Sequence, residues 1–236
     1  MPAAAERVRR CREVSRVEGF SDAAFAFAVT LLVVSLEVPH SFTDLMATLS
    51  GAPAFAICFA LLVVIWHHHY VFFRRYGLED NPTIALNALL LFVVLLYVYP
   101  LKFLFLFLTE AFFGMGGPEG DAMLSAVDLD MVSLMTIYGA GVAAVYSIFI
   151  LMYLHAWRRR DALELDLLER HDTVSSIQHF VIYVAIAFAS IGIVQLGGSG
   201  FISGIIYGLI GPAAAIHGAW RGRKRRSMTS ADPGEF

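Results

Sequence analysis

The chain is predicted to be an all-α integral membrane protein with six transmembrane helices. Three observations predict it. First, of 236 residues 58% are hydrophobic and 16% charged, with a mean hydropathy of +0.68, whereas soluble domains run at roughly 45–50% apolar and about 25% charged. Second, the apolar residues gather into six long stretches separated by short polar or glycine-rich segments. Third, the basic residues cluster at every second junction. The net charge of −3 and a pI near 6.2 give no reason to expect a nucleic-acid partner.

Residues 1–19 form a basic N-terminal segment. Arg7, Arg9, Arg10, Arg12 and Arg16 precede an apolar run from Ala23 to Leu36, a length that suits a signal peptide. No small-x-small cleavage site follows, so the run is read as retained. Its many alanines point to a helix surrounded by protein rather than lipid, since a lipid-facing span needs about 20 apolar residues. Helix one is predicted over 20–38, stopping before Pro39 because the residue before a proline avoids the helical region. A loop over 39–48 leads to helix two over 49–73. Helix three runs from Pro82, a good first-turn residue, to about residue 108, with a kink expected at Pro100.

A glycine-rich acidic loop occupies 109–130, and helix four 131–157. The segment 158–170 reads as an amphipathic connector in helical form. Helix five spans 174–195, Gly197 to Gly200 make a tight turn, and helix six spans 201–220. Residues 221–236 form a basic tail that becomes polar and disordered in character. The membrane domain is thus 20–220, with no internal repeat evident. Arg74, Arg75, Arg158, Arg159, Arg160, Arg170 and the run from Arg221 to Arg226 all fall on the side of the N-terminal arginines, against Lys102 on the other. By the positive-inside rule both termini are cytoplasmic. Cys11 and Cys58 have no evident bridge partner, so no disulfide is expected.

Five features could carry chemistry. The most unusual is Arg16-Val-Glu-Gly-Phe20-Ser21-Asp22, which sets ionisable groups at the mouth of an apolar helix, where they are costly and mark function. Topology brings Asp22, Trp66, His67, His68, His69, Asn87, His155, Gln178 and His179 to one depth. They form either a structural polar knot or part of an ion entrance, with Arg16, Ser21, Trp66 and a histidine as partners for Asp22. The three consecutive histidines point in different directions and cannot share one metal. A bis-histidine haem would need one from helix two and one from His155 or His179. On helix one, Phe27, Leu31 and Val34 share a face beside Thr30: a packing stripe, or a hydrophobic constriction in a symmetric oligomer. Gly200, Gly204 and Gly208 make a small-xxx-small packing pattern. The outer loops are acidic, through solvation or as a cation-concentrating mouth. No Walker loop, serine–base–acid arrangement, Thr-Val-Gly-Tyr-Gly filter or voltage-sensor repeat is present, and no enzyme activity is expected.

The stretch Arg16-x-x-x-Phe20-Ser21-Asp22, followed by Thr30, resembles the first-helix signature of the transmembrane protein 175 family of potassium channels, and the likeness extends over the whole chain. It implies a potassium-preferring, passive cation channel of a prokaryotic plasma membrane, a homotetramer whose four first helices line the pore. Potassium would be a transient passenger, with no cofactor and no resident metal. The resemblance implies a hydrophobic ring at Phe27 and a threonine ring at Thr30; Leu31 and Val34, on the same helix face as Phe27, would line the constriction with it. Arg16, Phe20, Ser21, Asp22, Trp66, His67, His68 and Asn87 would hold the entrance. The family usually has an aliphatic residue where this chain has Phe27. Alternatives are a haem or redox membrane protein, or a non-conducting structural one.

Overall fold

In a computed structural model of the chain, residues 14–34, 40–50, 52–113, 131–198 and 200–230 are described, and all regular structure among them is helical. The chain divides into two compact units, Met1–Met131 and Val132–Phe236. Four described stretches are long and apolar enough to cross a membrane: Ala52–Tyr76, Asn81–Phe103, Val132–Arg158 and Leu167–Gln195.

The first unit contains α1 (Arg16–Val34), α2 (Phe42–Ser50), α3 (Ala52–Tyr76) and α4 (Asn81–Phe113). α1 corresponds to predicted helix one but begins earlier, at Arg16, because Ser15 caps it. The Glu18 N–H donates to Ser15 Oγ at 3.1 Å, satisfying one of the free donors of the first turn. Its described length is 19 residues, with Arg16, Glu18 and Asp22 in the first two turns. The remainder of the predicted span, 35–38, lies outside the described residues.

The predicted loop over 39–48 holds α2 instead. Phe42, Leu45, Met46 and Leu49 recur at helical spacing on it and all are exposed, an apolar stripe of the kind that lies in a membrane interface. α4 begins at an Asp80 cap, whose carboxylate accepts from the Thr83 N–H at 3.2 Å and from the Thr83 hydroxyl. It runs through Pro100 to Phe113, five residues past its predicted end. α1 packs along both α3 and α4, and those two pack on each other.

The second unit contains α5 (Met131–Arg158), α6 (Leu167–Gln195), α7 (Gly200–Ile205), a 3-10 turn (Ile206–Leu209) and α8 (Ile210–Ser230). The predicted helical connector over 158–170 is a turn over 159–164 followed by a new helix. Two local signals force the break. Glu164 sits at φ +50°, which a right-handed helix cannot include. Asp166 then caps α6 in a reciprocal box with Glu169, at 2.7 and 3.0 Å. At the other end of α6, Gly197 takes φ +81°, the left-handed conformation that glycine adopts freely, and the Gly198 N–H closes on the Ile193 carbonyl at 2.9 Å.

The core of this unit is aromatic. Phe149 of α5 stacks on Phe180 of α6 at 5.3 Å, and Tyr146 meets Tyr183 edge-on at 4.6 Å. The close approach is made by Gly139, where an added Cβ would fall 2.5 Å from the Ile191 side chain. The predicted small-residue stripe works differently. The 3-10 turn interrupts the regular spacing of predicted helix six, and Gly204 and Gly208 face nothing within 4 Å. α7 is held to α6 by reciprocal bonds between Ser190 and Ser203, whose hydroxyls are 2.7 Å apart.

Candidate functional site

α1 has two unlike faces. Glu18, Ser21, Phe25, Ala28 and Leu32 are buried, a run spaced 3, 4, 3 and 4 that keeps one seam against α3 and α4. Phe20 (68% exposed), Ala23, Phe27 (57% exposed) and Thr30 lie on the other side and are open. Thr30 returns its hydroxyl proton to the Ala26 carbonyl at 2.9 Å. Leu31 is half-buried at the edge of the open face, and the Val34 side chain lies outside the described residues.

At the first-helix motif the buried face carries a directional hydrogen-bond relay. Ser21 Oγ donates to the Val17 carbonyl at 2.8 Å, so it must accept from Asn87 Nδ2, 2.9 Å away. That turns the Asn87 carbonyl toward His69 Nε2 at 2.9 Å, and Nε2 therefore carries the proton. One residue each from α1, α4 and α3 is tied in sequence, and all three are buried. His69 Nδ1 is buried without a hydrogen bond among the described residues. The ring packs against Phe73 at 4.6 Å and Phe25 at 5.7 Å. With Nε2–H committed to Asn87, only Nδ1 keeps a free lone pair, enclosed by those two rings.

A second tie runs along the outside of the first. The Trp66 indole N–H donates to Asp22 Oδ1 at 2.8 Å, in the open rather than buried. Trp66 stacks on Tyr70 at 5.6 Å, and the Arg74 guanidinium lies 5.5 Å above the Tyr70 ring. Arg74 Nε also stands 3.8 Å from Glu18 Oε1, a carboxylate whose side chain is only 7% exposed. Between α1 and α3 lies a cleft of about 300 Å³, lined by Asp22, Phe25, Ala26, Val29, Leu62, Val63 and Trp66.

Of the residues expected at the entrance, Ser21 and Asn87 meet in the relay, and Asp22 and Trp66 meet beside it. The histidine partner expected for Asp22 is replaced by Trp66. Arg16 is exposed and makes no ion pair among the described residues. Phe20 joins Phe27 on the open face, one heptad apart. His67 is exposed and His68 half-buried; their rings lie 6.3 Å apart, and His67 stacks on Tyr70 at 6.5 Å. Sequence reading did not single out His69 from its neighbours and missed Glu18. His69 extends the buried stripe Ala54, Cys58, Leu62 and Phe72 of α3, a spacing that singles it out from its two neighbours. Glu18 is the fourth residue of a Ser15-x-x-Glu18 capping signature.

Residues 16–97 match the family model described as endosomal/lysosomal potassium channel TMEM175. A protein of Marivirga tractuosa named as a potassium channel is 39% identical over 233 residues, covering 93% of this chain and 92% of that one. A potassium channel of Chamaesiphon minutus is 33% identical over 96 residues, 37% of this chain and 47% of its own length. Among solved structures, a variant of the potassium channel MtTMEM175, crystallised with a nanobody–MBP fusion, superposes with a TM-score of 0.76 at 37% identity, covering 91% of this chain and 96% of that one. A lysosomal potassium-selective channel TMEM175 homologue from Chamaesiphon minutus shares the fold, with a TM-score of 0.57 at 23% identity over 86% of this chain and 96% of its own. On its first-helix motif, its near full-length identity to the Marivirga protein and its fold, the chain belongs to the TMEM175 family.

Proposed function

We propose that this protein is a passive, potassium-preferring cation channel of a prokaryotic plasma membrane, not an enzyme. It works as a homotetramer, with α1 of each copy lining one pore and six spans per copy. The observation that carries this reading is the two-faced first helix, one face locked into its own bundle while the other presents Phe20, Phe27 and Thr30 to something outside it. Four such faces around an axis make a hydrophobic ring at Phe27, a hydroxyl ring at Thr30, and further apolar lining at Leu31 and Val34. A narrow apolar ring opposes ion passage by shedding water. Phenylalanine closes it more fully than an aliphatic side chain, and its ring face also attracts cations. Arg16, Asp22, Trp66 and the relay of Ser21, Asn87 and His69 hold the entrance, with His67 and His68 beside it.

The direct test is flux into liposomes. Potassium uptake above that of empty vesicles, exceeding sodium uptake, is expected; absence of potassium uptake by protein of the correct size would overturn the reading. Both termini are placed inside by the one-sided arginines. In a Cys11→Ser, Cys58→Ser background, Gly117→Cys should label only from outside and Ser230→Cys only from inside. Labelling of both from one side contradicts the orientation.

A further inference from the structure

The second unit contains a buried arginine that makes no ion pair among the described residues. Arg221 of α8 is 7% exposed and His171 of α6 is 8% exposed. Arg221 Nη2 donates to the His171 backbone carbonyl at 3.1 Å, a neutral acceptor. Arg221 Nε and both ring nitrogens of His171 are buried with no hydrogen-bond partner among the described residues. The carboxylate of Asp172 comes within 3.5 Å of His171 Nδ1 but makes no ion pair with Arg221 among those residues.

Two more exposed arginines of this unit are treated differently. Arg170 and Arg160, with side chains 37% and 35% exposed, share the Asp161 carboxylate at 2.8 and 3.7 Å. Of these three, the most deeply buried guanidinium is the one that makes no ion pair among the described residues, the reverse of what the cost of burying charge requires. An anion with several acceptor oxygens would satisfy these donors. Phosphate fits best, because a guanidinium fork binds it through paired hydrogen bonds, and an imidazole N–H adds a third donor.

The surroundings identify the source. Trp220 is 59% exposed, with the Arg221 guanidinium 5.9 Å from its ring centroid, and tryptophans of this kind gather at headgroup depth. Arg223, Lys224, Arg225 and Arg226 follow at once, and basic clusters beside a membrane helix attract anionic lipid. We propose that Arg221 and His171 form a phosphate site filled by the headgroup of an anionic phospholipid. The site stands apart from α1 and does not depend on the conduction reading.

Native mass spectrometry of the full-length protein in detergent tests it, with phosphatidylglycerol and phosphatidylcholine of matched chains as probes. Loss of one charge-assisted contact corresponds to roughly tenfold in affinity. Wild type should retain phosphatidylglycerol in preference to phosphatidylcholine by about that factor, Arg221→Gln should lose the preference, and Arg223→Gln should keep it. Arg221→Lys guards against misfolding. It preserves the charge but not the fork, and should bind phosphatidylglycerol more weakly than wild type while remaining folded. Excess inorganic phosphate should leave the bound lipid in place; displacement by phosphate would overturn the lipid assignment in favour of a free anion. Equal retention of phosphatidylglycerol by wild type, Arg221→Gln and Arg221→Lys would overturn the site itself.

Discussion

The two faces of α1 are built from the same 19 residues and obey opposite rules. The inner face satisfies itself. Its polar atoms are passed along a chain from Val17 through Ser21 and Asn87 to His69, and its apolar residues Phe25, Ala28 and Leu32 are buried at heptad spacing. The outer face satisfies nothing in its own bundle, because Phe20 and Phe27 stand open and Thr30 bonds only its own backbone. A helix anchored on one side and bare on the other is suited to line a surface that forms only when copies assemble. Mutations on the inner face should therefore reduce stability, whereas mutations on the outer face should alter transport while leaving the fold in place.

The largest loss is expected from Phe25→Ala. The ring is buried between the helices and faces His69 at 5.7 Å, and large-to-small core changes of this kind cost about 3–5 kcal/mol. Thermal unfolding in detergent should show it as the greatest fall in melting temperature of the series. A loss no larger than that of Asp22→Ala would mean the inner seam is not packed as described.

Asn87→Ala comes next. Interhelical hydrogen bonds in membrane proteins average only about 0.6 kcal/mol. Removing Asn87, however, leaves the His69 Nε2–H without its acceptor and takes from Ser21 Oγ the bond it accepts, while its donation to Val17 remains; a buried orphan costs roughly 1–3 kcal/mol. A loss of about 2–4 kcal/mol is expected on that basis. Asn87→Ala and Ser21→Ala should be less than additive, since both break the same link. Full additivity in the double variant would dissolve the relay.

Asp22→Ala should cost about 1 kcal/mol, because its bond to Trp66 is exposed and water can replace it. Trp66→Phe should remove the same bond, so the pair should again be sub-additive. The sequence alone pointed to a larger penalty, on the view that Asp22 is a buried charge held by Arg16 and a histidine. That view failed for a physical reason. Depth along the helix is readable from topology, but rotation about its axis is not, and Asp22 lies at the exposed edge of the seam with α3. The same ambiguity hid His69 among three histidines, although the stripe of Cys58, Leu62 and Phe72 carries the rotational information.

The helix content and the membrane class were legible because they rest on composition and on stretches far longer than any soluble core needs. Four described helices have that character. Boundaries were less legible where a side-chain cap decides them, as at Ser15 and at the Asp166 and Glu169 box. α2 went unread because nine residues with a short apolar stripe at helical spacing look like a loop when only long apolar runs are sought. The glycine stripe of predicted helix six was misleading, because the 3-10 turn breaks the spacing it depends on. The open face is another matter: helical spacing put Phe27, Leu31 and Val34 on one face beside Thr30, but only the resemblance preferred a pore lining to a packing stripe there.

The smallest effect on stability, and the most telling on function, is expected at Phe27. Its ring makes few contacts within its own bundle, so Phe27→Ala should change protomer stability by no more than about 0.5 kcal/mol. Val29, two residues on, instead lines the cleft with Leu62 and Trp66, and Val29→Ala serves as the matched change on another face. Potassium and sodium flux should be measured in liposomes for wild type and both variants at equal reconstituted protein. The two-faced account predicts that Phe27→Ala raises cation flux and narrows the difference between potassium and sodium, while Val29→Ala leaves the ion preference of wild type. If Phe27→Ala conducts and discriminates as wild type does, or if Val29→Ala shifts the preference more, the open face of α1 does not line the pore.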